Sequence, residues 1–349
     1  MARKTQNRSR RSDEPIRPAP TKTSPENSST RKLLSAGKLK QLYSSMLRCR
    51  MLEERAQALL KDGKIGRGYQ VRMGSEAAEV GAMADLQSKD CVSCGRRDAV
   101  AGLIRGKPVA DVLVHIMGRV EVPSHNGLSP AAIAESTEGL VAGQSTLAAR
   151  INISTGVALA YKMQKRPNVV VVFSGNDAAA LSSWRESIDF AAAHKLPIVH
   201  VVQDDLGGES ATSSPVAIAN APDSEIANSI PRLTVDGADA VAVYRVAQEA
   251  IRRARQGHGP ALIECKTRRW VGHSEVGPTP FLPAGNSSDP LASMEAYLKQ
   301  RALWSDPWKE RLVHRFSKEL DAAISQARGL SAGVVIKESR SQSAGGGKN

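Results

Sequence analysis

Residues Asn168 to Phe173 read N-V-V-V-V-F, a nearly unbroken β-branched run. A strand with one wet face alternates apolar and polar side chains, so a run without alternation predicts a strand covered from both sides. The neighbouring sequence supplies the covering layers. Ala178 to Lys195 carries Leu181, Trp184, Ile188 and Ala191 at helical spacing and closes before Pro197. Ile198 to Gln203 is a second short strand, and Ala238 to Arg255 a helix with Val241, Tyr244, Ala247 and Ile251 on one side. Ala261 to Thr267 is a third strand. Strand and helix alternating through short connections predict parallel pairing with right-handed crossovers. The expected fold is therefore α/β, a doubly wound, mostly parallel sheet with helices on both faces.

Before this core, Leu39, Leu42, Met46, Cys49, Ala56 and Leu60 form one stripe of an amphipathic helix that stops at Asp62-Gly63. The expected organisation is a basic disordered tail over 1–33, an α/β domain over 34–278, a helical C-terminal region over 279–332 and a flexible tail over 333–349. Net charge is +13, and residues 1–40 hold eleven Lys or Arg against three acids, so +8 of it lies there. That segment is rich in Ser, Thr, Pro and Arg, with too little apolar surface to offset the entropy of ordering. A solubilising or docking tail is the expectation, and no nucleic-acid partner is. Asp13, Glu14 and the missing apolar face argue against a targeting segment. No run approaches the ~18 apolar residues of a membrane span, and a cytoplasmic protein is expected. Cys49, Cys91, Cys94 and Cys265 make no disulfide framework, and the single C-x-x-C at Cys91 to Cys94 lacks the second ligand pair a structural zinc site needs.

In an open parallel sheet, ligands bind outside the carboxyl ends of the strands. Three loops meet there: Ser174-Gly175-Asn176-Asp177, Gln203-Asp204-Asp205-Leu206-Gly207-Gly208, and Arg268-Arg269-Trp270-Val271-Gly272-His273-Ser274. Each alone is also ordinary capping or turn chemistry. Together they offer oxygen ligands suited to Mg²⁺, arginines suited to phosphate, and glycines that allow close backbone approach. A helix starting at Ala178 would aim its positive end at the same place. The combination points to a metal-bridged diphosphate.

With these loops in place, the sequence resembles the alpha subunits of the thiamine-diphosphate-dependent 2-oxoacid dehydrogenases of pyruvate, branched-chain 2-oxoacid or acetoin type. The likeness runs from about Leu42 to Pro278. It is carried by the opening helix and Gly74-Ser75-Glu76-Ala77, by "GLIRGKPVADVLVHIMGR", by "EGLVAGQ", by "ESIDFAAAHKLPIVHVV" with Glu186, and by Arg269-Trp270-Val271-Gly272-His273-Ser274. The resemblance implies thiamine diphosphate and Mg²⁺ as cofactors. It places Asn176, Asp205 and the Gly207 carbonyl at the metal. It places Arg97, Gly139, Val141, Gly175, Asp177, Arg269 and His273 around the cofactor, with His273 as the catalytic histidine. It also implies a beta-type subunit that completes the site in a heterotetramer, and a lipoyl-bearing acyltransferase that receives the acyl unit of a small 2-oxoacid.

Several residues depart from the family pattern. The family's metal aspartate falls on Asn176 and its metal asparagine on Asp205, an exchange that keeps two oxygens and one negative charge per pair. Asp177 and Asp204 add carboxylates, and two like charges 4 Å apart cost about 4 kcal/mol at an effective dielectric near 20. The tyrosine and histidine of the family's phosphate loop are missing around Arg96-Arg97-Asp98-Ala99, and "STLAARINISTG" is longer than the family's turn there. A non-catalytic paralogue that keeps fold and subunit surface is the alternative these departures leave open.

Overall fold

The computed structural model describes residues 33–65, 71, 73–95, 98–117, 139–141, 146–175, 178, 181–205, 230–267 and 289–331. The chain divides into two units, Met1–Leu34 and Ser35–Asn349, and the fold below is that of the second. In chain order its elements are α1 (Ala36–Lys61), α2 (Glu76–Met83), β1 (Cys91–Ser93), α3 (Asp98–Ile104), α4 (Val109–Ile116) and α5 (Leu147–Met163). There follow β2 (Val170–Gly175), α6 (Ser182–Ala193), β3 (Ile198–Asp205), β4 (Arg232–Asp236), α7 (Ala240–Arg255), β5 (Ala261–Thr267), α8 (Pro290–Gln300) and α9 (Asp306–Ser331).

The five described strands form one sheet in the order β1-β2-β3-β5-β4, and every pairing is parallel. The valine run explains itself in this setting. Val171 and Phe173 pack toward α2 and α7, while Val170 and Val172 pack toward α5 and α6, and all four are fully buried. Helices thus cover both faces, as a strand without alternation requires.

The opening helix stops where the sequence marks it, with Asp62 as C-cap and Gly63 at φ 68°. The strand over 261–267 also matches. Two expectations are corrected. β2 begins at Val170 and continues to Gly175, so it runs to the very edge of the glycine turn. The following helix begins at Ser182, not at Ala178. Ala178 is buried instead, and its carbonyl accepts the Leu181 N–H at 2.9 Å, closing a turn that delays the helix. Helix α5 was not expected through Asn152, Ser154, Thr155 and Gly156. The Ser154 and Thr155 hydroxyls donate back to the Arg150 and Ile151 carbonyls at 2.7 and 3.0 Å, which satisfies side chains that otherwise compete with helix.

The C-terminal helices clasp α1. Tyr43 donates to Glu295 at 2.7 Å and packs edge-on against Trp304 and tilted against Trp308, with centroids 5.1 and 5.4 Å away. Arg48 pairs with Glu319 at 2.5 Å. Among the described residues, no helix is long and apolar enough to cross a membrane. The expected tails, 1–33 and 333–349, lie outside the described residues apart from Leu33.

At the amino edge of the sheet, Asp90 is 0% exposed. Its carboxylate receives Arg255 from α7 through two hydrogen bonds, at 3.0 and 2.7 Å, and the backbone N–H groups of Gln87 and Val169 at 2.7 and 3.0 Å. Removing Arg255 strands the Asp90 charge in a dry setting, so Arg255→Ala should cost about 3 to 5 kcal/mol in chemical denaturation. His200 lies in the middle of β3, 1% exposed, with no hydrogen-bond partner for Nε2. Burial pulls its pKa down to about 4. Between that value and the ordinary one near 6.5, the unfolded chain binds the extra proton, so stability present above the upper value drains as pH falls through the window. About 3 kcal/mol should be lost there, and His200→Leu should flatten that part of a stability against pH curve.

Candidate functional site

The sheet register brings together the strand ends that precede the expected turns. Gly175, the last residue of β2, stands opposite Gln203, and Gln203 stands opposite Cys265 of β5. Asp205 ends β3 opposite Thr267, which ends β5. The chain therefore leaves three adjacent strands at one edge, just before Asn176, Leu206 and Arg268.

Gly139 and Val141 lie beyond β1. Leu140 forms a parallel bridge with Val92, the Val92 N–H donates to the Gly139 carbonyl at 2.6 Å, and the Val141 N–H donates to the Val92 carbonyl at 2.9 Å. Gly139 has φ 76°, and a β-carbon there would come within 2.5 Å of the Asp90 carbonyl. Only glycine fits so close to another backbone in that conformation. Arg97, Asn176, Asp177, Gly207, Arg269 and His273 lie outside the described residues, and Asp205 is placed by its backbone alone. Among the described residues, no cluster of three His, Cys, Asp or Glu has metal-binding geometry. The Cys91 thiol is raised above its usual pKa by burial and lies 2.8 Å from the Tyr161 hydroxyl, in keeping with a structural thiol.

Two residues at this edge were not singled out from the sequence. Gln203 is 3% exposed, yet neither its Oε1 nor its Nε2 has a hydrogen-bond partner. A polar side chain near the end of an otherwise apolar strand was its only signal. Arg150, on the first turn of α5, is 6% exposed and donates to the carbonyls of Ser93 at 3.0 Å and Phe173 at 2.9 Å. Its signal was the added length of "STLAARINISTG", which the structure shows to be the start of a helix.

A second polar cluster surrounds Gly74-Ser75-Glu76-Ala77. Short residues 84–90 join α2 to the amino end of β1, so α2 runs against the strands with its first turn toward the carboxyl edge. Arg50 reaches from α1 to both carboxylate oxygens of Glu76, at 2.5 and 3.1 Å, and to Asp289 at 3.1 Å. Burial lowers the Arg50 pKa, but bonds and charges from Glu76 and Asp289 outweigh it and hold the guanidinium above its usual range. The Gly74 N–H also donates to Glu76 at 3.0 Å, and the Ser75 hydroxyl to Glu79 at 3.2 Å. This network locks the entry to α2. A cleft of about 590 Å³ lined by Leu42, Met83, Arg105 and Lys107 lies by Leu86 and Ser88, before β1, and so at the opposite edge from the strand ends.

Comparison with known proteins covers most of the described chain. A family model described as "Dehydrogenase E1 component" matches residues 43–331, which carries the likeness past Pro278 and through α8 and α9. The pyruvate dehydrogenase E1 component subunit alpha of Staphylococcus epidermidis is 29% identical over 306 residues, covering 84% of this chain and 79% of the relative. Its namesake in Staphylococcus aureus is 29% identical over 306 residues, with the same coverage.

The Gly139 contact gives a test of how the segment beside β1 is held. Gly139→Ala combines a left-handed backbone with a clash against the Asp90 carbonyl and should cost about 3 kcal/mol. Gly106 has φ 96° but open space around it, so Gly106→Ala should cost only about 1 kcal/mol. Parallel urea titrations of the two variants check the difference.

Proposed function

The chain belongs to the dehydrogenase E1 component family, matching it over residues 43–331, as an alpha subunit of a thiamine-diphosphate-dependent 2-oxoacid dehydrogenase; from this we propose how its own residues serve that reaction. The reaction is oxidative decarboxylation of a 2-oxoacid, in which carbon dioxide leaves and the acyl unit becomes a thioester as a lipoyl disulfide on a partner acyltransferase is reduced. A beta-type subunit completes the site, in a cytoplasmic heterotetramer. The α/β domain over 34–278 carries the cofactor, and the region over 279–332 supports it.

The observation that carries this reading is the meeting of Gly175, Asp205 and Thr267 at the ends of adjacent strands. Beside them, the orphaned amide of Gln203 fits a polar ligand, since an unmade buried hydrogen bond costs about 1 to 3 kcal/mol until something fills it. In this reading Asn176, Asp205 and the Gly207 carbonyl hold Mg²⁺. Arg97 and Arg269 hold the diphosphate with Gly175 and Asp177 against it, and Gly139 and Val141 border the aminopyrimidine. When bound, thiamine diphosphate supplies the nucleophile and electron sink for decarboxylation. His273 orients the substrate and moves a proton at its imidazole. The main-chain bonds of Gly139 and Val141 to Val92 fix the pocket rim before the cofactor arrives.

Titrating thiamine diphosphate with Mg²⁺ into the chain co-expressed with its beta-type subunit should give saturable binding. Absence of binding at millimolar cofactor sinks the enzyme and leaves the non-catalytic paralogue. Asn176→Asp and Asp205→Asn made together should leave affinity similar or better, because ligand charge is preserved, while either alone should weaken it about tenfold or more. Additive single effects would show that the two residues share no ion.

A further inference from the structure

We propose that the cleft at the amino edge of the sheet is a binding site for a small organic anion, a carboxylate or phosphate head on an apolar body, received by Arg105. The inference stands apart from the cofactor reading, because the cleft lies at the edge opposite Gly175 and Asp205.

The sequence sets two cations on one short stretch, Arg105-Gly106-Lys107, and the end of α3 fixes them. The Gly106 N–H donates to the Leu103 carbonyl at 3.1 Å, and the Lys107 N–H to the Gly102 carbonyl at 2.9 Å. Gly106 has φ 96°, so this pair of bonds closes the helix on a left-handed glycine. Arg105 and Lys107 flank that glycine, and both line the cleft. A β-carbon on Gly102 would come within 2.8 Å of Lys107 Cδ, so the lysine stem lies along α3. Much of the remaining wall is apolar, with Leu42 from α1, Val80 and Met83 from α2, and Ile104. No Asp or Glu is among the described residues that line it. At about 590 Å³, the space falls within the range of about 300 to 1,000 Å³ usual for small-molecule sites.

A second observation concerns the guanidinium itself. Its described hydrogen bonds all leave from Nη2, to the carbonyls of Gln87, Ser88 and Asp90 at 2.9, 3.0 and 3.0 Å. Two hydrogens there serve three acceptors, while Nε is buried with no partner. Among the described residues Arg105 makes no ion pair, and the Asp90 carboxylate is already held by Arg255. Burial pulls the Arg105 pKa below its ordinary value, and the charge of Asp90 opposes this only in part. A half-buried cation that bonds neutral carbonyls and keeps an unmade donor is stabilised by an anion entering the cleft. The planar fork of arginine suits a carboxylate or phosphate head. The apolar walls suit a body behind that head, which a bare inorganic ion lacks. Because the same side chain ties down the connection from α2 to β1, an occupant also braces the segment that carries Asp90.

The test uses the co-expressed alpha and beta complex and calorimetric titration with phenyl phosphate, with benzoate, and with benzamide, the uncharged match of benzoate. At least one of the two anions should bind with Kd below about 1 mM, and benzoate about tenfold or more tighter than benzamide. The bound anion should raise the melting temperature, and adding thiamine diphosphate with Mg²⁺ should change its affinity by less than about threefold. Arg105→Gln should weaken anion binding about tenfold or more while benzamide stays within about threefold. Ser45→Phe, which fills the cleft from α1 and removes no charge, should weaken every probe about tenfold. Absence of binding by both anions at about 10 mM overturns the inference, as does equal affinity for benzoate and benzamide. Displacement of the anion by thiamine diphosphate overturns it too, since the probe then sits at the other edge. If Arg105→Gln fails to assemble, unchanged anion affinity in Ser45→Phe overturns it alone.

Discussion

Asp90 accepts four hydrogen bonds without exposure to water, and the levelling of the strands depends on it. The carboxylate ties the entry of β1 to the entry of β2 through the Val169 N–H, and ties both to α7 through Arg255. Its own carbonyl takes Arg105 from the residues after α3. Once strand entries are level, strand length decides where each chain leaves the sheet. β2 exits at Gly175 and β3 at Asp205 because both start from a shared edge and pair without a bulge. The same carbonyl stands against Gly139, so the outermost segment is referred to the anchor too. Where the strands end at one edge of the sheet is set by a charge at the other.

Much of this was legible from residue pattern. The run from Val170 to Phe173 could belong only to a strand covered on both faces, and the stripe from Leu39 to Leu60 marked the opening helix, because burial in both cases uses many side chains at one period. Less was legible where few residues decide. β1 has three residues and β4 exposes part of its length, so neither makes a pattern long enough to read. The start of α6 was misplaced because alanine after a glycine turn suits either a helix or a buried turn, and tertiary packing of Ala178 chose the turn. Helix α5 was hidden by Asn, Ser, Thr and Gly, whose poor propensity is overcome by back-bonded hydroxyls and by packing on β2.

The candidate site divides along the same line. That loops from three strands should converge follows from topology alone, and the register sets Asp205 opposite Thr267, with Gly175 level with Gln203 two residues earlier. Gly139 was named through family likeness, and the structure supplies a physical reason for glycine there in the approach of the Asp90 carbonyl. Arg150 and Gln203 escaped, since each matters through burial and the groups around it, which a one-dimensional reading does not contain.

Asp289 does two jobs with one oxygen, Oδ1. It caps α8 through the Leu291 N–H at 3.0 Å and receives Arg50 from α1 at 3.1 Å. Arg50 in turn holds Glu76 at the head of α2, so three segments far apart in the chain share a single ionic joint. Such a joint constrains inheritance. Loss of one charge at position 50, 76 or 289 leaves its partners short of a buried counter-charge, so the C-terminal helices are not an energetically independent cassette. Any chimera that takes α8 from one parent must take α1 and the head of α2 from the same one.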